Sequence, residues 1–417
     1  MMPPRLLAFL AFSVVCAMAR AEPDSGALNA VIGAGLFSDG NLWDDDADAA
    51  ASRLRWPEES KTSTDSSYRE YPGESDMFLG ARPRSKVLYG EGGLVSGISV
   101  VFANKGDAVM YAPSAKAAAL RRERKDQIRD YKRDIQEDRK VLRAALTGLF
   151  GEPSADKFGQ GRGGGEPVLR WDWQGHAFLL AGPRDEYVSL RIVSSALADS
   201  GGRSRVSDAE MRARLATRVE RRANGDVVLA DLPMVSQGPK GYCAPATWER
   251  VMRYMGVPAD MYVLAMEGDT GAGGGTSMER LSAGAKAAIV SAGRRFGSPA
   301  VKLKASEVAG FIDRGLPVMW VMFSTGDYNR AAESRMEARM TMTDPAAWDD
   351  TLKDARKAAR KFRLEKETGH VCLITGYNKA SRELCVSDSW GPEFKERWVT
   401  EEEAQAVSQN SFYTIEL

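Results

Sequence analysis

This chain has no excess of charge, no long apolar run beyond its first residues, and few histidines and cysteines. Lys plus Arg and Asp plus Glu each number 57. That balance supplies no field to hold a polyanion, so neither nucleic acid nor an acidic membrane surface is expected as a partner. The apolar run Leu6 to Met18 is too short to anchor in a bilayer, and nothing later is apolar enough to span one. Stable membrane insertion is therefore not expected. Asp44, Asp45, Asp46 and Asp48 lack the glycine and distal glutamate of an EF-hand loop. Gly163-Gly164-Gly165 lacks the strand–loop–helix context and the Lys-Ser/Thr of a phosphate cradle. No metal is expected. The only histidines are His176 and His370, so the choice of imidazole base is narrow.

What is present divides the chain. Arg5, the apolar run and Ala19-Arg20-Ala21 form a signal-peptide pattern over residues 1–21, and the mature chain is expected to begin at Glu22. A secreted or periplasmic protein follows. Residues 22–200 read as an α+β domain. Asn41 to Leu54 reads as a capped helix, Glu58 to Asp76 as a polar loop, and Lys86 to Leu94 and Ile98 to Ala103 as strands. Ser114 caps a helix that runs to Phe150. Its stripe of Ile128, Tyr131, Ile135, Leu142, Leu146 and Leu149 should lie on a sheet. Val168–Trp173 and His176–Leu180 form a hairpin around Gln174-Gly175, with a further strand at Tyr187–Val193. His176 is read as structural. Residues 201–228, with an Arg-rich helix, read as a linker and a candidate processing site.

The chemistry concentrates in residues 229–417. Leu232 to Val235 leads into a Gly/Pro-rich loop that ends at Cys243, and a helix follows at once through Thr247, Trp248, Val251, Met252 and Met255. A thiol at a helix N-terminus feels the positive end of the dipole, which favours the nucleophilic thiolate. Gln237 lies on the preceding loop, where a side-chain amide can face a developing oxyanion. His370 opens an apolar strand, and Asp388 closes the next one after a turn at Lys379 to Arg382. Pairing His370 opposite Asp388 puts both on one face, because strand side chains alternate. Asp388 would then fix the imidazole tautomer and leave the other nitrogen for Cys243. In that register Val386 faces Cys372, so Cys372 and Cys385 point to opposite sides and stay as two buried thiols beside one reactive one.

Gln237-x5-Cys243 followed by Ala244-Pro245-Ala246, with His370-Val371-x-Leu373-Ile374-Thr375-Gly376-Tyr377 and Asp388-Ser389-Trp390-Gly391, resembles the papain-like cysteine peptidases. The resemblance is closest to the bacteriocin-processing-like, or double-glycine-peptidase-like, branch. His370 and Asp388 follow Cys243 by about 130 and about 145 residues, within the roughly 130–150 of that arrangement. Two departures stand out: the Cys-Gly-Ser-Cys-Trp signature of the lysosomal members is absent, and Asp replaces the Asn of plant papain. The resemblance covers residues 231–417. It implies an α+β fold in which the helix carrying Cys243 lies on an antiparallel, barrel-like sheet. It further implies Cys243 as nucleophile, His370 as base, Asp388 as orienter and Gln237 as oxyanion donor, with a peptide or protein substrate and no cofactor. By the same analogy Gly273, Gly274, Gly275 and Thr276 of the Gly-rich loop, with Trp390, line the substrate cleft. Residues 325–366 read as a surface insertion that shapes or lids that cleft.

Three questions stay open on sequence. A transglutaminase or amidase would use the same Cys-His-Asp geometry, and a peptidase-like binding protein would keep the fold without the activity. The first domain is either an inhibitory pro-region or a permanent accessory domain. Neither the oligomeric state nor the cleavage preference can be read.

Overall fold

A computed structural model describes residues 22–38, 41–108, 121–159, 165–203 and 205–417. The signal-peptide pattern, the Ser114 cap and Gly163-Gly164 lie outside the described residues.

The first half is one antiparallel sheet dressed by helices. Helices α1 (Ser25–Ile32) and α2 (Ala47–Leu54) precede β1 (Glu58–Lys61), β2 (Asp65–Glu70), β3 (Ser85–Glu91) and β4 (Leu94–Asn104). The long α3 (Arg121–Phe150) follows, then β5 (Ser154–Phe158), β6 (Glu166–Trp173), β7 (His176–Ala181), β8 (Tyr187–Ser194) and the short α4 (Ser195–Asp199). The strand order is β1-β2-β3-β4-β8-β7-β6-β5. Gln174 and Gly175 both take positive φ, which closes the β6–β7 hairpin with the twist its strands need. Alternation along the strands buries both faces. Phe102, Phe178, Leu190 and Ile192 join Tyr131, Ile135, Leu142 and Leu146 of α3 in one core. On the opposite face, Val101, Leu179, Tyr187 and Val193 join Val235, Tyr242, Ala246 and Met261 from the second half.

The second half is also α+β. Helix α5 (Asp208–Thr217) and the hairpin β9 (Val219–Arg221) and β10 (Val227–Leu229) come first. Then follow α6 (Cys243–Tyr254), α7 (Met261–Glu267), α8 (Met278–Ser291), β11 (Arg295–Gly297), α9 (Ala305–Ile312) and β12 (Val318–Phe323). Next are α10 (Gly326–Met340), α11 (Pro345–Ala359), β13 (Gly369–Asn378) and β14 (Glu383–Ser387). The chain ends with β15 (Arg397–Thr400), α12 (Glu401–Val407) and β16 (Ser408–Glu416). The sheet runs β11-β16-β12-β13-β10-β9, with β14 also pairing β13 and β15 beyond it. Trp248 and Val251 of α6 and Ile289 of α8 fill one face against Met319, Val371 and Leu373. Val308, Ile312, Tyr328 and Val407 fill the other against Trp320, Cys372 and Ile374.

Four expectations need correction. Residues 58–70 are not a loop but the β1–β2 hairpin. Its buried side is polar, with Glu59 paired to Arg69 at 2.5 Å, so apolar alternation could not reveal it. Asn41 to Leu54 is a 3-10 turn followed by α2, because Asp46 caps a second start by accepting from Ala49 N–H. Residues 201–228 do not run free. Met211 and Leu215 enter the second core, Arg294 pairs with Asp208 at 2.7 Å, and β10 pairs with β13. The β13–β14 register differs from the expected one by three residues at the turn, where Asn378 is opposite Glu383, and by two beyond a bulge between Ile374 and Gly376, where Leu373 is opposite Ser387 and Ile374 opposite Val386. The Asn378 side chain accepts from both Ala380 and Ser381 N–H and moves the turn centre past Lys379. A two-residue shift preserves alternation, so His370 and Asp388 still meet.

Candidate active site

Cys243 opens α6 without any side-chain cap. The first-turn N–H groups of a helix have no intrahelical acceptor, so their partial positive charge faces the sulfur. Burial pushes the thiol up. The hydrogen bond and charge of His370, with the backbone N–H groups of Val371 and Ala244, outweigh it and hold the thiol below its ordinary value of 9.0. Thr247 Oγ1 donates to Val371 C=O at 2.9 Å and pins α6 to β13 one turn below the sulfur.

His370 is buried. Burial opposes its charged form, but hydrogen bonds to Asp388 and Cys243 raise the imidazole to about 9. Nε2 lies 2.7 Å from Asp388 Oδ1, which leaves Nδ1 for the sulfur. The Trp390 ring lies 4.8 Å from the imidazole and shields it. Asp388 is fully buried. Desolvation pushes its carboxyl up, but the Arg397 guanidinium and His370 bring it below 3.8.

Two residues unnoticed in the sequence complete this corner. Arg397, on β15, donates through Nε to Asp388 Oδ2 at 2.9 Å and through Nη2 to the same oxygen. The carboxylate is thus divided, one oxygen to the imidazole and one to the guanidinium. Arg250, on α6, is wholly buried and faces carbonyls: Pro233 at 2.9 Å and Asp388 at 3.0 Å, with Ser387 Oγ at 2.6 Å. Burial pulls it down to about 10, so it stays charged near neutrality. It ties α6 to the strand end that carries Asp388. A single Arg in an apolar run normally reads as solvent-facing, and no sequence signal separates these two from that case.

Gln237 is held from both ends. Its Oε1 accepts from Ser389 Oγ at 2.9 Å, its backbone N–H donates to Ser389 C=O at 2.8 Å, and Nε2 donates to Lys240 C=O at 2.7 Å. A primary amide has two N–H donors, so one remains for the cleft.

A cleft of about 530 Å³ opens over these groups, lined by Gln237, Cys243, His370 and Trp390. Gly275 and Thr276 line it too, whereas Gly273 and Gly274 lie in the turn behind, where Gly274 N–H donates to Gly271 C=O at 2.9 Å. Ser324, Asn329 and Lys366 at the two ends of the 325–366 insertion also face it. The insertion is rooted in the core, with Arg339 paired to Asp226 at 2.7 Å and Arg335 to Glu403 at 2.5 Å. A second cavity, about 560 Å³, lies between the halves beside Ile98, Met252 and Ala285. Neither Cys243 nor His370 lines it, so the first cleft is the one that faces the chemistry.

His176 takes no part. Its Nε2 accepts from Leu42 N–H at 3.3 Å amid Phe37, Trp43 and Trp173, and burial lowers its basicity. Cys372 and Cys385 are buried free thiols, each pushed up chiefly by desolvation. Of the four acidic residues near Asp45, three are engaged: Asp45 pairs with Arg53, Asp46 caps α2 and Asp48 pairs with Lys61. No cluster of His, Cys, Asp or Glu suited to a metal occurs among the described residues.

The cleft thus brings together a thiol, an imidazole in contact with it and a side-chain amide. Residues 229–414 match the model of a family described as Peptidase_C39 like. No curated protein matches the chain.

Proposed function

Because residues 229–414 belong to the Peptidase_C39-like family, a papain-like branch, we propose that this chain is an exported cysteine peptidase acting through Cys243, His370 and Asp388. The carrying observation is geometric: Cys243 at the start of α6 and His370 line one cleft, and His370 Nε2 lies 2.7 Å from the buried Asp388 carboxylate, an arrangement that lowers the thiol and raises the imidazole to about 9. Each charge favours the other, which favours proton transfer from the thiol to the imidazole. The thiolate attacks a peptide carbonyl held in the cleft. The free Nε2 hydrogen of Gln237 and the backbone N–H of Cys243 meet the oxyanion. His370 passes its proton to the leaving amine, and water then releases the acyl group. Asp388 holds the ring in its tautomer, and Arg397 keeps Asp388 ionised. The leader pattern at residues 1–21 carries the export reading, and the N-terminal sequence of the secreted protein is expected to start at Glu22.

Peptide hydrolysis measured against pH tests the pair. Activity rises as the thiolate forms below the ordinary thiol range and falls as His370 loses its proton near pH 9. A profile that rises with an ordinary thiol and shows no alkaline fall would contradict it. Gln237→Ala is expected to lower kcat about 100-fold, the usual cost of one oxyanion donor, with KM little changed. An unchanged kcat would remove Gln237 from the site.

A further inference from the structure

The loop between Asp231 and Tyr242 hangs from the first half of the chain along almost its whole length. Met234 N–H donates to Ser60 Oγ at 2.9 Å, and Ser236 N–H donates to Glu59 Oε1 at 2.7 Å. Glu59 is itself fixed by its buried pair with Arg69. Tyr71 OH donates to Ser236 C=O at 2.5 Å, and its ring lies against Gly238, which sits at φ 65 where a side chain would strike it. Lys240 is buried. Its Nζ pairs with Asp107 of the first half at 3.1 Å and stands 4.8 Å from the Tyr71 ring centre. The Tyr242 ring fills the space beside Gly106, where no side chain would fit.

Lys240 matters because its carbonyl receives Gln237 Nε2. Asp107 therefore sets the loop that sets the amide. A buried ammonium stripped of its carboxylate cannot stay in place without water or movement. The surrounding interface is apolar. Val101, Leu179, Tyr187 and Val193 of the first sheet share one core with Val235, Ala246 and Met261. Separation would put that whole sheet face in water, whereas domains that part readily share smaller, more polar contacts. Among the described residues, none from the first half lines the cleft over Cys243. A segment that inhibits by occlusion must do so.

We propose that the first domain is a permanent brace that fixes the loop carrying Gln237, with Tyr71 and Asp107 as positioning residues, and is not a pro-region shed on activation. The catalytic side of this inference rests on the peptidase reading. The mechanical side does not.

The test uses the full chain, with Tyr71→Phe and Asp107→Asn each made in wild type and in Gln237→Ala. Amide exchange in residues 234–242 is expected to quicken at least tenfold, while exchange in α6 beyond Ala246 and the iodoacetamide labelling rate of Cys243 stay as in wild type. For peptide hydrolysis, kcat falls about tenfold with KM within twofold, and neither change adds to the loss already caused by Gln237→Ala. Loop exchange that is unchanged in both variants overturns the brace, and so do losses that multiply in the Gln237→Ala background. Wild-type hydrolysis by Cys243→Ala would instead sink the peptidase reading, and loop exchange would still decide the brace.

Discussion

Cys243→Ala is expected to abolish peptide hydrolysis, with kcat down by about 10⁵-fold or to the background of the assay. The argument is chemical. Only the sulfur can form the acyl intermediate, and the other two described cysteines are buried with thiols pushed well up, so neither substitutes. The fold should persist, because Cys243 is half-buried and belongs to none of the buried apolar clusters of the described residues. Unchanged thermal unfolding with lost cleavage is the expected pair of results. Retained cleavage would mean that the thiol is not the nucleophile.

Asp388→Asn should be the next most damaging change, and it should harm both activity and stability. The Asn side chain is neutral, so Arg397 would be a buried guanidinium without its carboxylate. Breaking one side of a buried pair costs about 3–5 kcal/mol. The imidazole would also lose the partner that raises it to about 9, and its tautomer would no longer be fixed. A loss in kcat/KM of about 10³–10⁴-fold follows, the size seen when a triad carboxylate becomes an amide. Adding Arg397→Met to Asp388→Asn separates the two effects. Removing both charges together should return most of the stability and none of the activity. If the double variant regains activity, Asp388 acts only as a structural counter-ion.

The legible part of the site was the part written in local patterns. A Gly/Pro loop stopping at a helix start placed Cys243, and two short strands around a turn placed His370 and Asp388. The four-residue turn and its Asn378 cap shift the register by three, and a bulge between Ile374 and Gly376 reduces the shift to two at the site end, which period-two alternation tolerates without moving a side chain to the other face. A shift of one would have separated the pair. Arg397 and Arg250 were illegible because a buried cation is recognised by its partners, and those partners are distant in sequence. The β1–β2 hairpin escaped for a related reason. Its inward residues are Glu59, Ser67 and Arg69, which satisfy one another rather than alternating with apolar neighbours. The 201–228 segment reads as polar, yet Met211 and Leu215 anchor it in the second core. The long α3 was the opposite case. Its apolar stripe on a charged rod told where it lies, and Tyr131, Ile135, Leu142 and Leu146 are buried on the sheet.

The central claim is that His370 keeps Cys243 as a thiolate, and the pH dependence of iodoacetamide labelling at Cys243 tests it without any knowledge of the substrate. Wild type should keep its labelling rate to a lower pH than His370→Ala, whose rate should slow about tenfold per pH unit below about 8.5, as a free thiol does. If wild type and His370→Ala trace the same curve, the imidazole does not ionise the sulfur and the account is wrong.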